Sequence, residues 1–295
     1  MVYELAKQDE RIVFIGSDLG AGVLEDFKRE MPDRFFMEGI GEQNIVGMAT
    51  GMALSGKIVY VNTIATFLTG RAYEFVKLGP GLHQANVRLI GAGGNASTYA
   101  PLGPTHLAFD DIAIMRAIPG MTILAPCDAV EMEALMPQTV NHAGPMYIRL
   151  GRGGDEVVCD WGATIGRAVL AKSVYVKDLI VSTGTTTQIA LAAAKRIGCG
   201  VLHVPTIKPL DVGMVRSIAC GVCRVFTIED HSIIGGLGSA VAEVLAESYW
   251  QGSFKRIGYP DVFPHGYGTQ DEMRARYGIT AEAIVRTVKE SWVQS

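Results

Sequence analysis

The sequence predicts an α/β fold in two domains, each a mostly parallel sheet flanked by helices. Three observations carry that expectation. Short apolar runs of strand length alternate with stretches of helical period from residue 11 to residue 149. The pattern breaks at Arg152-Gly153-Gly154-Asp155, and a second alternation starts near residue 178. A chain of 295 residues, 48% of them hydrophobic, can fill two cores. The expected domains are residues 1–155 and 160–295.

In the first domain, apolar runs at residues 11–16, 34–38, 57–61, 86–90, 121–124 and 146–149 read as strands. Between them, residues 21–30, 42–55, 69–78, 109–117 and 128–141 carry helical patterns. In the second domain, strands are expected at residues 178–182, 200–204, 224–228 and 256–259. A helix with an Ala-rich face spans residues 185–197. The last helix has apolar residues at 281, 284, 285, 288 and 292, a helical period. The sequence has no internal repeat and no low-complexity tract.

A net charge of −4 with no basic run argues against a nucleic-acid partner. No uninterrupted apolar run reaches the ~20 residues a membrane helix needs. Met1-Val2-Tyr3-Glu4-Leu5 lacks the charged and apolar regions of a signal peptide, so a cytoplasmic location is expected. Cys127, Cys159, Cys199, Cys220 and Cys223 are scattered, and only the last two form a close pair. They are expected to be buried or half-buried thiols in a reducing compartment.

Open α/β sheets bind ligands beyond the carboxyl ends of their strands. Candidates therefore follow strands. Asp18 follows the first, where it either caps the next helix or faces a ligand. Glu42 opens a helix that is otherwise small and apolar, with Gly47 and Gly51 one turn apart to allow close packing. Such a helix needs no carboxylate to fold. Glu42 either complements the helix dipole or touches a ligand. Phe67 is one aromatic among small residues after the third strand, either core or a platform for a ligand. Residues 91–106 form a glycine-rich loop without the spacing of a P-loop or a dinucleotide fingerprint, and it ends in His106. Arg152 ends the Arg149-Leu150-Gly151-Arg152 segment, as a linker salt bridge or as an anion ligand suited to guanidinium. Glu229-Asp230-His231 precedes Gly235-Gly236-Leu237-Gly238-Ser239, a strand end, a turn and a glycine-packed helix start. That helix N-terminus could hold an anion, but a structural role is the favoured reading.

Taken in order and at this spacing, these segments resemble the C-terminal half of thiamine diphosphate-dependent transketolases. The resemblance covers about residues 11 to 290. It rests on the Glu42 helix, the Phe67 segment, Gly103-Pro104-Thr105-His106, Arg149 to Arg152, and the Glu229 to Ser239 signature. It implies a pyrimidine-binding domain followed by a transketolase C-terminal domain. It implies that Glu42 hydrogen-bonds the cofactor's N1′ and favours its imino tautomer, that Phe67 stacks on the aminopyrimidine, and that Asp18 faces the cofactor. By the same resemblance His106 lines the substrate channel and helps move protons, and Arg152 binds a substrate phosphate. The implied reaction passes a two-carbon ketol unit from a ketose to an aldehyde.

The superfamily's diphosphate anchor is Gly-Asp-Gly with a later Asn, which together hold Mg²⁺. No Gly-Asp-Gly occurs in this sequence, and Asp155 sits between Gly154 and Glu156. The resemblance therefore implies a split enzyme. An N-terminal diphosphate-binding subunit would carry the Mg²⁺ ligands, this chain would carry none, and the assembly would be an A2B2 heterotetramer. Acyloin condensation of the 1-deoxyxylulose-5-phosphate synthase kind, the β subunit of a 2-oxo-acid dehydrogenase and a non-catalytic relic are the alternatives. The Gly-Pro-Thr-His loop and the Glu-Asp-His signature favour transketolase, and the presence of Glu42 argues against a relic. Several positions depart from the family pattern. Leu102 stands where an Asp binds an acceptor hydroxyl, Gly94 replaces a His, Gly22 replaces a phosphate-binding Ser, and a phosphate-binding Arg would fall before Met1. An acceptor other than the standard aldose phosphates is expected.

Overall fold

The computed structural model describes residues 1–18, 24–173 and 177–293. Six parallel strands come from the first half: β1 (Ile12–Gly16), β2 (Phe35–Met37), β3 (Ile58–Ile64), β4 (Val87–Ala92), β5 (Thr122–Leu124) and β6 (Met146–Leu150). Their order across the sheet is β5-β6-β4-β3-β1-β2. Every residue of β1 and of β5 is buried. Helices cover both faces of such a sheet, so its strands read as continuous apolar runs rather than as alternation.

The second half adds β7 (Val169–Lys172), β8 (Asp178–Ser182), β9 (Gly200–His203), β10 (Thr206–Lys208), β11 (Arg224–Ser232) and β12 (Ser253–Tyr259). Five of these form a second sheet in the order β12-β11-β8-β9-β7, with β7 antiparallel to β9 and the other pairings parallel. Strand β10 leaves its neighbours and pairs antiparallel with β5, extending the first sheet. The two halves thus share a sheet edge.

The helices are α1 (Val2–Gln8), α2 (Glu25–Glu30), α3 (Glu42–Leu54), α4 (Tyr73–Val76), α5 (Asp111–Arg116), α6 (Ala129–Val140), α7 (Thr186–Ile197), α8 (Val212–Ala219), α9 (Leu237–Glu247), α10 (Gln270–Arg276) and α11 (Ala281–Val293). Sequence periodicity leaves α1, α8, α10, β7 and β10 unassigned. Each is eight residues or fewer, too short for a period to stand out. The regular helix expected at residues 69–78 is instead a wider coil. Phe67–Arg71 and Lys77–Gly81 are π-helical on either side of α4. Ala72 N–H reaches back five residues to the Phe67 carbonyl at 3.3 Å.

Helix α3 packs Ile45, Val46, Ala49 and Ala53 into a core with Val59, Val61, Leu68 and Leu89. The close packing expected at Gly47 and Gly51 does not occur within this chain, because a Cβ added at either would meet nothing within 4 Å. Gly91, at the end of β4, is the opposite case. A Cβ there would lie 2.7 Å from the Tyr147 hydroxyl and 3.0 Å from the Ala65 Cβ. Overpacking of this kind costs about 1–3 kcal/mol. Urea unfolding of Gly91→Ala should show a loss of that size. Gly51→Ala in the same isolated chain should gain about 0.5–1 kcal/mol, since it only removes helix-interior glycine.

Candidate active site

Glu42 is the first residue of α3, and Gly41 before it, outside helical geometry, turns the chain out of β2. The side chain is buried, at 1% exposure. An unpaired buried carboxylate is too costly to keep, and the structure supplies a partner. Arg71 Nη1 donates to Glu42 Oε2 at 2.8 Å. The same guanidinium lies over the Phe67 ring, 4.4 Å from its centroid. The His106 ring meets Phe67 edge-on at 5.0 Å. The Thr105 hydroxyl lies 2.9 Å from His106 Nδ1. Glu42, Arg71, Phe67 and His106 are therefore contiguous, and they converge from α3, the π-helical turn after β3 and the loop after β4.

Sequence reasoning named three of these four residues and missed Arg71. A signal existed in principle, because a buried Glu42 needs a hydrogen-bond donor and Arg71, a strong one, stands four residues past Phe67. The π-helical turn brings Arg71 back over Phe67, and such turns are frequent at functional sites.

Asp18, Leu102 and Arg152 make no hydrogen bond, ion pair or ring contact with these four among the described residues. Asp18 is exposed at the end of β1, where it accepts from the Ser17 hydroxyl at 3.0 Å. It does not cap α2, whose N-cap is Leu24. Leu102 is 51% exposed, on the short 3₁₀ turn Ala100–Leu102 that precedes the His106 turn. Arg152 is exposed and forms no ion pair with a described residue, so the linker salt bridge is not made. It lines a cleft of about 600 Å³ at the strand ends, with Asn62, Leu150, Asp155 and, from the second half, Thr185. Gly94 has a steric reason, since a Cβ there would lie 2.3 Å from Arg149 Cγ. Gly22 lies outside the described residues.

The Glu229 to Ser239 signature serves the scaffold. Glu229 is fully buried and accepts from Leu237 N–H at 2.7 Å and Gly238 N–H at 2.9 Å. The chain's own carboxylate thus fills the N-terminus of α9, where an external anion was the alternative. Burial pushes Glu229 up to about 7. His231 Nδ1 donates to the Ser232 carbonyl at 2.6 Å, and Nε2 accepts from Ala113 N–H at 3.4 Å. Burial pushes His231 down to about 4.

Cys127, Glu131 and His203 place ligand-type atoms within 4.8 Å of one another. Hydrogen bonds already satisfy the group. Glu131 Oε2 accepts from Cys127 N–H at 2.7 Å and lies 2.7 Å from His203 Nε2. His203 Nδ1 in turn meets Thr187 Oγ1 at 2.7 Å. The group clasps the two halves together, and burial raises the Cys127 thiol far out of its ordinary range. Cys159 and Cys199 are buried too, but Cys220 and Cys223 are exposed, contrary to expectation. They sit on the turn between α8 and β11, which packs no layer over them.

A buried carboxylate, an aromatic ring and an imidazole thus meet at the strand ends of one α/β domain, with a second α/β domain behind it. The chain belongs to the transketolase family. The transketolase pyrimidine-binding domain matches residues 1–154, and the transketolase C-terminal domain matches residues 176–284. An apulose-4-phosphate transketolase subunit from Phocaeicola vulgatus is 37% identical, over 97% of this chain and 93% of that protein. A protein of Methanocaldococcus jannaschii described as a transketolase C-terminal section is 35% identical, over 97% of this chain and 92% of its own length. A solved split-gene transketolase, an inactive β4 tetramer, superposes with a TM-score of 0.86 at 35% identity, covering 98% of this chain and 94% of that one.

His231 yields a pH prediction. Asp111 and Glu229 stand 3.8 and 3.7 Å from its ring, yet burial outweighs them. A depressed histidine contributes stability above its ordinary value of 6.5 and loses it as pH falls toward 4. The stability advantage of the natural chain over His231→Gln should therefore shrink by about 1–2 kcal/mol between pH 7 and pH 5, at about 1.4 kcal/mol per unit. Urea titrations at both pH values measure it. A difference that does not move with pH would mean the imidazole titrates normally.

Proposed function

We propose that this chain is the C-terminal subunit of a two-component transketolase that passes a two-carbon ketol unit from a ketose to an aldehyde. The observation that carries it is the buried Glu42 beside Phe67 and His106, in a sequence without Gly-Asp-Gly. Relatives of nearly the same length, one described as a transketolase C-terminal section and one as a single subunit of a transketolase, support it. Residues 1–155 are the pyrimidine-binding domain and residues 160–295 the C-terminal domain.

The residues present fit one end of thiamine diphosphate. A buried carboxylate acceptor and a half-buried aromatic face suit a flat, N–H-bearing aminopyrimidine. Bound there, the cofactor would supply the nucleophilic carbon that accepts and hands on the ketol unit. Glu42 would hold the N1′ proton and so favour the imino tautomer. Phe67 would pack on the ring face, and Asp18 would stand at its edge. His106 would hold or move a proton at a substrate oxygen. Arg152 would bind a substrate anion in the cleft it lines. Leu102 would give the acceptor an apolar wall where hydroxyl recognition is the family habit.

The Mg²⁺ ligands belong to a diphosphate-binding N-terminal partner in this reading, and the working form is an A2B2 heterotetramer in the cytoplasm. Among the described residues no helix is long and apolar enough to cross a membrane, which is consistent with that placement.

Two measurements test the reading. Titration calorimetry should find that the lone chain binds thiamine diphosphate poorly and that the partner restores binding together with ketol transfer. Full activity of the lone chain would sink the split arrangement. In the assembled enzyme, Glu42→Gln should slow H/D exchange at the cofactor C2 by at least ~10²-fold, the scale of a key acid–base group. Unchanged exchange would show that Glu42 is not the activating carboxylate.

A further inference from the structure

Arg71 makes two contacts, and both are ones the proposed site offers to an aminopyrimidine. It donates an N–H to the Glu42 carboxylate at 2.8 Å, and its guanidinium lies over the Phe67 ring at 4.4 Å. A guanidinium is a planar fork of N–H donors that stacks on aromatic faces. An aminopyrimidine protonated at N1′ is planar too: it offers one N–H to a carboxylate at that position and a flat face to an aromatic ring. We propose that Arg71 is a further residue of the cofactor pocket, an internal surrogate that occupies the ring's two contacts and must be exchanged for it on binding. The inference rests on the pyrimidine-site reading of Glu42 and Phe67.

Exposure supports an exchange. The Glu42 side chain is 2% exposed, while that of Arg71 is 40% exposed. The carboxylate is buried at the first residue of α3 and cannot follow a departing partner. Arginine has a long, rotamer-rich stem and an open path to water, so it can leave. Its departure strands no buried charge of its own. The carboxylate it leaves needs a replacement donor, which an incoming ring N–H would provide.

The energetic consequence has a definite sign. A pocket that is free of its surrogate only part of the time binds more weakly by that fraction. Removing Arg71 should therefore strengthen cofactor binding while weakening the empty protein, whose Glu42 loses its partner. The loss should vanish once the ring occupies the pocket, because Arg71 makes neither contact there. A residue that instead held Glu42 in place for the cofactor would show the reverse sign.

The test is calorimetric titration of thiamine diphosphate with Mg²⁺ into the assembled two-subunit enzyme, paired with thermal unfolding with and without saturating cofactor. Arg71→Ala should lower the Kd about tenfold, equivalent to about 1.4 kcal/mol. It should also lower the Tm of the cofactor-free form, with the difference disappearing at saturation. Arg71→Lys keeps a cation for Glu42 but lacks the planar stack, and its Kd should fall between the two. If Arg71→Ala does not fold, an unchanged or raised Kd in Arg71→Lys overturns the inference by itself. An unchanged or raised Kd in Arg71→Ala overturns it directly. Phe67→Ala separates the two levels of failure. If it weakens binding while Arg71→Ala fails to tighten it, only the surrogate role falls. If it leaves Kd unchanged, the pyrimidine-site reading falls with it.

Discussion

The Arg149–Asp111 ion pair is the interaction on which the rest of the arrangement depends. Both side chains are buried, at 4% and 0% exposure. Arg149 Nε donates to Asp111 Oδ2 at 2.7 Å and Nη2 to Oδ1 at 3.0 Å. Nη2 also donates to the carbonyls of Ala108 and Asp230 at 3.1 and 3.0 Å, and Nη1 to Asn95 Oδ1 at 3.3 Å. One guanidinium thus ties the end of β6 to α5, to the loop that carries His106 and to β11 of the second sheet. Tyr147 adds a hydrogen bond to Asp111 at 2.6 Å. A buried pair is not by itself a large stabiliser, but removing one partner costs about 3–5 kcal/mol. The same arginine explains the bare loop beneath it, because only a glycine at position 94 leaves room for its side chain.

Buried carboxylates recur, and each is answered by a different donor. Glu42 meets a half-exposed arginine, Glu229 meets two backbone N–H groups of α9, and Glu131 meets His203 and the Cys127 backbone. The donors differ in how firmly they are held. Backbone amides of a packed helix and a buried histidine cannot withdraw, so Glu229 and Glu131 act as fixed joints. Arg71 is a side chain with access to water. Of the three, Glu42 is the buried carboxylate whose partner reaches water.

The second half does more than cover the first. Its strand β10 closes the edge of the first sheet on β5, and Ala125 N–H donates to the Pro205 carbonyl at 2.7 Å beside it. Ala96 N–H bonds the Asp230 carbonyl at 3.1 Å, which pins the glycine-rich loop to β11. Arg274 of α10 adds a 2.8 Å contact to Asp230 and a 2.7 Å contact to Thr185. The loop with His106 is consequently backed by residues from both halves, which gives a glycine-rich segment a defined course.

The α/β class, most of the strands, and three of the four residues that meet at the site were legible in the amino-acid sequence. Those features are written locally. A strand buried on both faces is a continuous apolar run, a carboxylate in an otherwise bland helix stands out, and Phe67 and His106 are the lone aromatic and the lone imidazole of their loops. The absence of Gly-Asp-Gly was equally plain. Folding in three dimensions was needed to settle the partner of Glu42, the crossing of β10 into the first sheet, the burial of Arg149 against Asp111, and the exposure of Cys220 and Cys223. Arg71 is 29 positions from Glu42, and Asp111 is 38 from Arg149. Periodicity reports which face of an element is buried, but not which distant side chain arrives there. That depends on how the elements stack, and the free-energy cost of an unpaired buried charge then selects the partner.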